Sequence, residues 1–269
     1  MNTNRLTPYE VGRFIYLPGK KPYLYHLLLK ENTLSATGIL EEITSVFAKR
    51  KIPILSLKVS MAPALKIIIA VDLTGKEHQA EELAAQFKGK TYVQDIQYSP
   101  PLFEGVAIDQ YSFPLFIAGN RTLLFEKAVY EGMLKIGWER FGTPYAILLY
   151  LAGFGAGKLA YESQTTLTRD PGLQLKFAVA YFQMLGFGRL EILKIDDKRM
   201  EAEFRVYDSF ECEVFSGVGE IRGNFVRGLT AGWLAGRWGI TDPDKMIARE
   251  RKCIAKGDPY CEYRVQVEK

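Results

Sequence analysis

Residues that can bind a metal ion lie close together near the end of the chain. Glu250 lies three residues before Cys253, and Cys261 follows eight residues after Cys253. Residues 257–259 (Gly-Asp-Pro) predict a turn, which would bring the two thiols together across a hairpin. Two thiolates and a carboxylate are suitable ligands for zinc, which takes four ligands in a structural site. The same pattern also fits buried thiols without a metal, or a disulfide.

Few residues of the chain could act in catalysis. The only histidines, His26 and His78, lie in the first third of the chain, so the rest offers no histidine for general-base catalysis or haem ligation. The alternating glycines of residues 153–157 lie within a predicted apolar helix and not in a G-x-G-x-x-G turn that binds a dinucleotide. Glu250 and Cys253 could form an acid–nucleophile pair, but no base is placed to orient it. We therefore assign no catalytic residue and expect a protein that is not an enzyme.

The composition is typical of a globular protein. Of its 269 residues, 48% are hydrophobic and 25% are charged. The longest apolar run, residues 146–154, is too short to span a bilayer, and the N-terminal sequence lacks a secretory pattern, so we expect a cytoplasmic protein. The net charge is only +4, and the basic cluster at residues 49–51 fits a solvated helix end. With no helix-turn-helix pattern, we predict no direct nucleic-acid partner. Because no apolar run is long enough to span a bilayer, we also predict no membrane partner.

The first hundred residues predict one sheet and two helices. Strand patterns cover residues 23–31, 54–61, 66–73 and 91–98, and helical spacing of apolar residues covers residues 39–50 and 77–87. The resulting order, β-α-β-β-α-β, is that of the ferredoxin-like sandwich.

Two motifs in this region resemble the ACT regulatory domain. Residues 37–40 (Thr-Gly-Ile-Leu) resemble that family's helix start, and residues 51–54 (Lys-Ile-Pro-Ile) resemble its approach to the second strand. The resemblance covers residues 22–98 and implies a regulatory domain, which we place at residues 1–98. In that family, a glycine at the position of Gly38 lets the backbone approach an amino acid or a partner subunit. The alternative for Gly38 is a helix start that binds no ligand.

Adjacent prolines mark the predicted domain boundary. Pro100 and Pro101 cannot donate to a strand ladder, and they stiffen the chain. We predict a linker over residues 99–112 and a second domain over residues 113–269. Its predicted elements are helices at residues 122–141, 145–165 and 173–185, strands at 189–195, 200–207 and 210–215, a helix at 224–238, and a hairpin that pairs 246–255 with 260–268.

One predicted helix, over residues 145–165, has an unusual glycine pattern. Gly153, Gly155 and Gly157 occupy alternate positions. In a helix interior each glycine costs about 1 kcal/mol relative to alanine. The close approach of another helix or of a ligand would offset this cost.

Five blocks of the second domain, in order, resemble the 4-vinyl reductase domain family. They are residues 142–157, with Gly142, Ala146, Tyr150, Gly153 and Gly157, then 185–192 (LGFGRLEI), 208–211 (DSFE), 224–232 (NFVRGLTAG) and 250–261 (ERKCIAKGDPYC). The family is similar in fold to aromatic-sensing input domains of bacterial regulators and to subunits of a eukaryotic vesicle-tethering complex. The resemblance implies an α/β (α+β) domain, with an antiparallel sheet packed on helices, an apolar cavity between them, and a homodimer.

The last block also resembles the zinc ligands of the aromatic sensors. The resemblance implies that Glu250, Cys253 and Cys261 are ligands. The family's remaining cysteine falls at Gly223 in this chain, and Cys212 is the candidate substitute. Zinc is therefore a possible cofactor, with metal-free thiols as the alternative.

Large apolar side chains cluster where the helices and the sheet of the second domain should meet. We predict that a ligand contacts some of these residues, although an aromatic stripe is more often plain core than a ligand site. Sensors of phenols with this fold hold the ligand hydroxyl with a histidine, which this domain lacks, so an apolar or differently anchored ligand is expected. The predicted ligand-binding residues are Tyr150, Phe154, Phe182, Phe204, Val206, Phe225 and Trp233.

These observations favour a ligand-binding regulatory protein. It would bind a small hydrophobic or aromatic molecule, form a homodimer, and act through a separate effector protein, since no output motif is present. The first alternative is an assembly or tethering scaffold with a permanently bound lipid-like group. The second alternative is a reductase-related accessory enzyme, after the reaction that names the family.

Overall fold

The computed structural model describes residues 6–31, 33 and 36–268, so residues 1–5, 32, 34, 35 and 269 of the predicted domain ranges lie outside the described residues. The architecture combines helices with antiparallel sheets, which confirms the predicted α+β class. The chain divides into two units, Met1–Leu123 and Leu124–Lys269. This division differs from the predicted boundary, because residues 99–112 contain a paired strand and do not form an extended linker.

The first unit contains a four-stranded antiparallel sheet with two helices. Its strands follow the order β3-β4-β2-β5, which confirms the predicted β-α-β-β-α-β arrangement, whereas assignment to the ACT family stays a prediction. The elements are β1 (Phe14–Tyr16), β2 (Pro22–Leu29), α1 (Ile39–Lys49), β3 (Ile54–Ser60), β4 (Lys66–Asp72), α2 (Ala80–Lys88), β5 (Val93–Ser99), β6 (Val106–Ile108), β7 (Leu115–Ile117) and β8 (Asn120–Thr122).

Both faces of this sheet are covered. On one face, Tyr25 and Ile69 pack with Phe47 of α1 and Phe87 of α2. On the other face, Leu24 and Ala70 pack with Ala107 of β6, which pairs with β1. Strand β6, which lies within the predicted linker, therefore covers part of the second face of the sheet.

Gly38 lies immediately before α1 with a φ of 85°, in the left-handed region that favours glycine. A Cβ at this position would meet no atom within 4 Å. The backbone conformation alone accounts for this glycine, and binding of an amino acid there stays a prediction.

The second unit packs a second four-stranded antiparallel sheet, with the order β11-β12-β10-β9, against helices. Its first helix begins at residue 127 and not at 122 as predicted, because residues 120–122 form β8. The elements are α3 (Lys127–Phe141), α4 (Thr143–Thr165), α5 (Pro171–Met184), β9 (Arg189–Asp196), β10 (Glu201–Tyr207), α6 (Phe210–Val214), α7 (Asn224–Trp238), β11 (Met246–Lys252) and β12 (Cys261–Val267).

Helices α4 and α7 approach each other closely through glycines. A Cβ on Gly153 would overlap the carbonyl oxygen of Phe225, and a Cβ on Gly157 would overlap that of Leu229. On α7, Gly228 and Gly232 meet the backbone of α4 in the same way. The approach of a helix thus explains two of the three alternating glycines.

The strand predicted over residues 210–215 is wrong, since residues 210–214 form the short helix α6. In this segment the acidic residues Glu211 and Glu213 alternate with apolar residues, a pattern that a strand also shows. Glu211 is instead fully buried, because its carboxylate accepts hydrogen bonds from the backbone N–H groups of Asn224, Phe225 and Val226 at 2.8–2.9 Å. These donors are the first N–H groups of α7, which have no partner within their own helix.

Within the described residues, no helix combines the length and the apolar character needed to cross a bilayer. The longest helix, α4, has 23 residues and carries Lys158 and Glu162.

We expect opposite effects from alanine at two neighbouring glycines of α4. Gly153→Ala should destabilise the protein by about 3 kcal/mol, because the new methyl group overlaps the backbone of α7. Gly155→Ala, where a Cβ meets nothing within 4 Å, should stabilise it by about 1 kcal/mol. Chemical denaturation of both variants measures the two changes, and equal effects would contradict the close approach.

Candidate ligand cavity and metal-ligand cluster

The second unit contains a cavity of about 110 Å³ among α4, α5, α7 and the strands β9 and β10. Small residues on α4 and α5 leave the space, and aromatic and aliphatic side chains enclose it. The lining residues are Gly157, Ala160, Gln164, Leu175, Ala178, Tyr181, Phe182, Leu185, Phe187, Leu190, Ile192, Ile195, Phe204, Leu229, Thr230, Trp233 and Leu234.

The cavity wall is apolar with few polar groups. None of the described residues that line it is charged, a histidine or a cysteine. The Trp233 indole Nε1 donates a hydrogen bond to the Gln164 side-chain oxygen at 2.9 Å. The Thr230 hydroxyl is directed to the backbone oxygens of Val226 and Arg227, at 3.0 and 2.9 Å. A charged guest would find no compensating charge here, so the wall favours a neutral molecule.

Three of the seven predicted ligand-binding residues, Phe182, Phe204 and Trp233, line the cavity. The other four lie in the neighbouring core. Tyr150 stacks under the Arg227 guanidinium, and Phe225 packs edge-to-face on Phe210 and Phe187. The remaining two are Phe154 and Val206, both buried in the core.

The sequence analysis missed the polar residues of the wall. Gln164 lies on α4 seven residues after Gly157 and four after Ala160, so these three share one face of the helix. Helical spacing from the glycines would have been enough to identify Gln164.

The four candidate metal ligands converge at one point of the second unit. Cys212 comes from α6, Glu250 from β11, Cys253 from the segment after β11, and Cys261 from the start of β12. One ligand atom of each lies within 4.8 Å of the others, and all four residues are buried. The Sγ atoms of Cys212 and Cys253 are 3.5 Å apart, and all three cysteines are free.

Position 223 faces this cluster. A Cβ built on Gly223 would lie 2.7 Å from the carboxylate oxygens of Glu250. A side chain at this position would therefore point towards the cluster. Cys212, on the short helix α6, contributes the third sulfur atom of the cluster.

The electrostatics of the cluster fit a cation. Burial raises the pKa of the Glu250 carboxyl to about 9. Hydrogen bonds from Cys212 and Cys261 lower the pKa of the Cys253 thiol. One Glu250 oxygen accepts from the Gly223 N–H at 3.1 Å, and the other, although buried, has no partner among the described residues. A carboxylate oxygen without a donor beside three sulfurs is a ligand set that suits zinc.

No family model matches the chain, and no curated protein matches it. Solved structures resemble its fold. The phenol-responsive sensory domain of the transcription activator PoxR with phenol is 18% identical over 87% of this chain and 92% of that chain, with a TM-score of 0.49. A trafficking protein particle complex subunit 3 from Naegleria fowleri, covalently bound to palmitic acid, is 14% identical over 53% of this chain and 93% of that one, with a TM-score of 0.37. A vinyl-4-reductase family protein from Methanocaldococcus jannaschii is 15% identical over 55% of this chain and 100% of that one, with a TM-score of 0.29. At these identities each similarity concerns the fold and not the ligand.

The cluster leads to a metal-content prediction. Protein purified without added metal should carry about one zinc ion per chain, and Cys253→Ser should remove most of it and lower the melting temperature. Elemental analysis by mass spectrometry, together with thermal denaturation, measures both effects.

A matched pair of carboxylates provides the control. Glu250→Gln should reduce the zinc content, whereas Glu262→Gln should not, because Glu262 lies on the neighbouring strand and pairs with Arg205 at 2.9 Å. A wild-type protein that contains no metal, or equal zinc in both glutamine variants, would contradict the assignment.

Proposed function

We propose that the second unit is a sensor domain that binds a small, neutral, mostly apolar molecule. The observation that carries this proposal is the cavity among α4, α5 and α7, whose wall holds no charged side chain among the described residues. Ligand pockets are mostly apolar, with a few polar groups that fix orientation, and this cavity has that character.

The size of the cavity supports a ligand with one aromatic ring. Its volume of about 110 Å³ is of the same order as an engineered apolar cavity of about 150 Å³ that binds benzene. Phe182, Phe204 and Trp233 offer ring surfaces on which such a guest could pack. A space of this size gives no support to the alternative of a permanently bound lipid chain, which needs a long channel.

Binding is favoured over catalysis by the chemistry of the wall. Among the described lining residues there is no carboxylate, thiol or histidine that could act as acid, base or nucleophile. We therefore propose a non-enzymatic regulator whose output passes through a separate effector protein.

We also propose a structural zinc ion held by Cys212, Glu250, Cys253 and Cys261. Four protein ligands fill the coordination of zinc and leave no open position for a substrate, so its role would be to stabilise the fold. It would tie α6 to the β11–β12 hairpin.

A second copy of the chain is the proposed partner for an exposed face of α4. Leu148, Leu151 and Leu159 recur on this face with 59%, 44% and 67% of their surfaces exposed. A contiguous apolar helix face of this kind is typical of an interface, and a self-complementary two-fold arrangement closes with two copies.

Filling the cavity should abolish ligand binding without loss of the fold. Ala178 lines the cavity, so Ala178→Leu places a larger side chain in the space that a guest would occupy. We expect wild-type protein to show a raised melting temperature with single-ring aromatic compounds, and Ala178→Leu to show no shift.

The matched control is Ala180→Leu on the same helix, because Ala180 is exposed. This variant should keep the wild-type thermal shift. If no single-ring compound shifts the wild-type melting temperature, or if both leucine variants respond alike, the proposed binding site is wrong.

The proposed dimer is tested by charge on its apolar face. Leu151→Glu should turn a dimer into a monomer in sedimentation velocity, because it buries an unpaired charge in the interface. Ala180→Glu, on the exposed side of α5, should remain a dimer. A wild-type monomer at micromolar concentration would contradict this part of the proposal.

A further inference from the structure

One polar side chain of the cavity wall is held in a fixed orientation. Gln164 is 6% exposed, and its backbone oxygen accepts hydrogen bonds from the N–H groups of Leu167 and Thr168 at 3.0 and 3.2 Å. Its side-chain oxygen accepts from Trp233 Nε1 at 2.9 Å. An indole nitrogen can only donate, so the amide must present its oxygen to Trp233 and its NH₂ group elsewhere.

The Gln164 NH₂ group has spare donors. Within the part of the chain that the structure describes, the hydrogen bond to Trp233 is the one that the Gln164 side chain makes. The side chain nevertheless lines the cavity and is more than nine-tenths buried. An acceptor atom of a ligand in the cavity would give this NH₂ group a hydrogen-bond partner.

The other polar groups of the wall do not provide the same contact. The Thr230 hydroxyl has one hydrogen, which is directed to a backbone oxygen, so Thr230 can only accept from a guest. Trp233 uses its single N–H on Gln164. Tyr181 also lines the cavity, so its hydroxyl is the other group that could donate a hydrogen bond to a ligand.

We propose that Gln164 determines ligand specificity by donating a hydrogen bond to an acceptor atom of a neutral aromatic guest. This inference rests on the proposed binding function of the cavity. The selected class is a single ring that carries an uncharged acceptor atom, such as a nitrile nitrogen or a carbonyl, ether or phenolic oxygen. A plain hydrocarbon ring of the same size fits the apolar wall but leaves the amide donors unpaired.

Two probes of similar size, benzonitrile and toluene, separate hydrogen bonding from apolar packing. Their dissociation constants are measured by calorimetry on wild-type protein, on Gln164→Met and on Tyr181→Phe. Methionine preserves the length of the side chain and removes the amide. We expect Gln164→Met to weaken benzonitrile binding by roughly 5- to 10-fold relative to toluene, and Tyr181→Phe to leave the ratio of the two constants within about twofold.

The outcomes distinguish this inference from the proposed function. If wild-type protein binds both probes and Gln164→Met weakens both equally or neither, the specificity role is wrong while the cavity remains a binding site. If Tyr181→Phe changes the ratio and Gln164→Met does not, the anchor is Tyr181. If wild-type protein binds neither probe, both the binding function and the role of Gln164 are overturned.

A measurement on wild-type protein covers the case in which Gln164→Met does not fold. The side-chain NH₂ resonances of Gln164, identified by selective glutamine labelling and their proximity to the Trp233 indole proton, should shift with benzonitrile and stay nearly unchanged with toluene. Equal shifts with both probes would contradict a hydrogen bond from Gln164 to the ligand.

Discussion

The close approach of α4 and α7 is the constraint on which the second unit depends. Backbone meets backbone at Gly153 and Gly157 on one helix and at Gly228 and Gly232 on the other, so no side chain separates the pair. The same approach sets Trp233 of α7 within hydrogen-bond distance of Gln164 on α4. The cavity lies beside this junction, where α5 and the sheet do not fill the space as closely. The cavity therefore lies next to the tightly packed contact between α4 and α7.

The start of α7 connects this helix pair to the cysteine cluster. Glu211 accepts three backbone N–H groups of α7, and the next residue, Cys212, contributes a sulfur to the cluster. Burial raises the pKa of Glu211 to about 7, while the three donors act in the opposite direction by favouring the carboxylate. One short helix therefore holds the start of α7 and contributes one of the four candidate ligand atoms. A metal ion at the cluster would stabilise the end of the sheet that faces this helix.

Much of the fold and part of the site could be predicted from the sequence. Periodicity identified the β-α-β-β-α-β unit, and the cost of the alternating glycines correctly indicated a close helix contact. The proximity of Cys253 and Cys261 could be predicted from their spacing in the sequence, because a hairpin turn is a local feature. The helix at residues 210–214 was missed because its buried acidic residue serves a distant helix end, which no local pattern records. Which apolar residues face the void depends on how three helices cross, and for that reason only three of the seven predicted residues line it.

The central claim is that the second unit holds an apolar void that admits a guest. The most direct measurement is a crystal structure of the protein under xenon pressure, since xenon enters dry apolar cavities without any specific contact. The account predicts an anomalous xenon peak among α4, α5 and α7, within contact distance of Phe182 and Trp233. An interior filled by its own side chains, with no xenon between these helices, would contradict it.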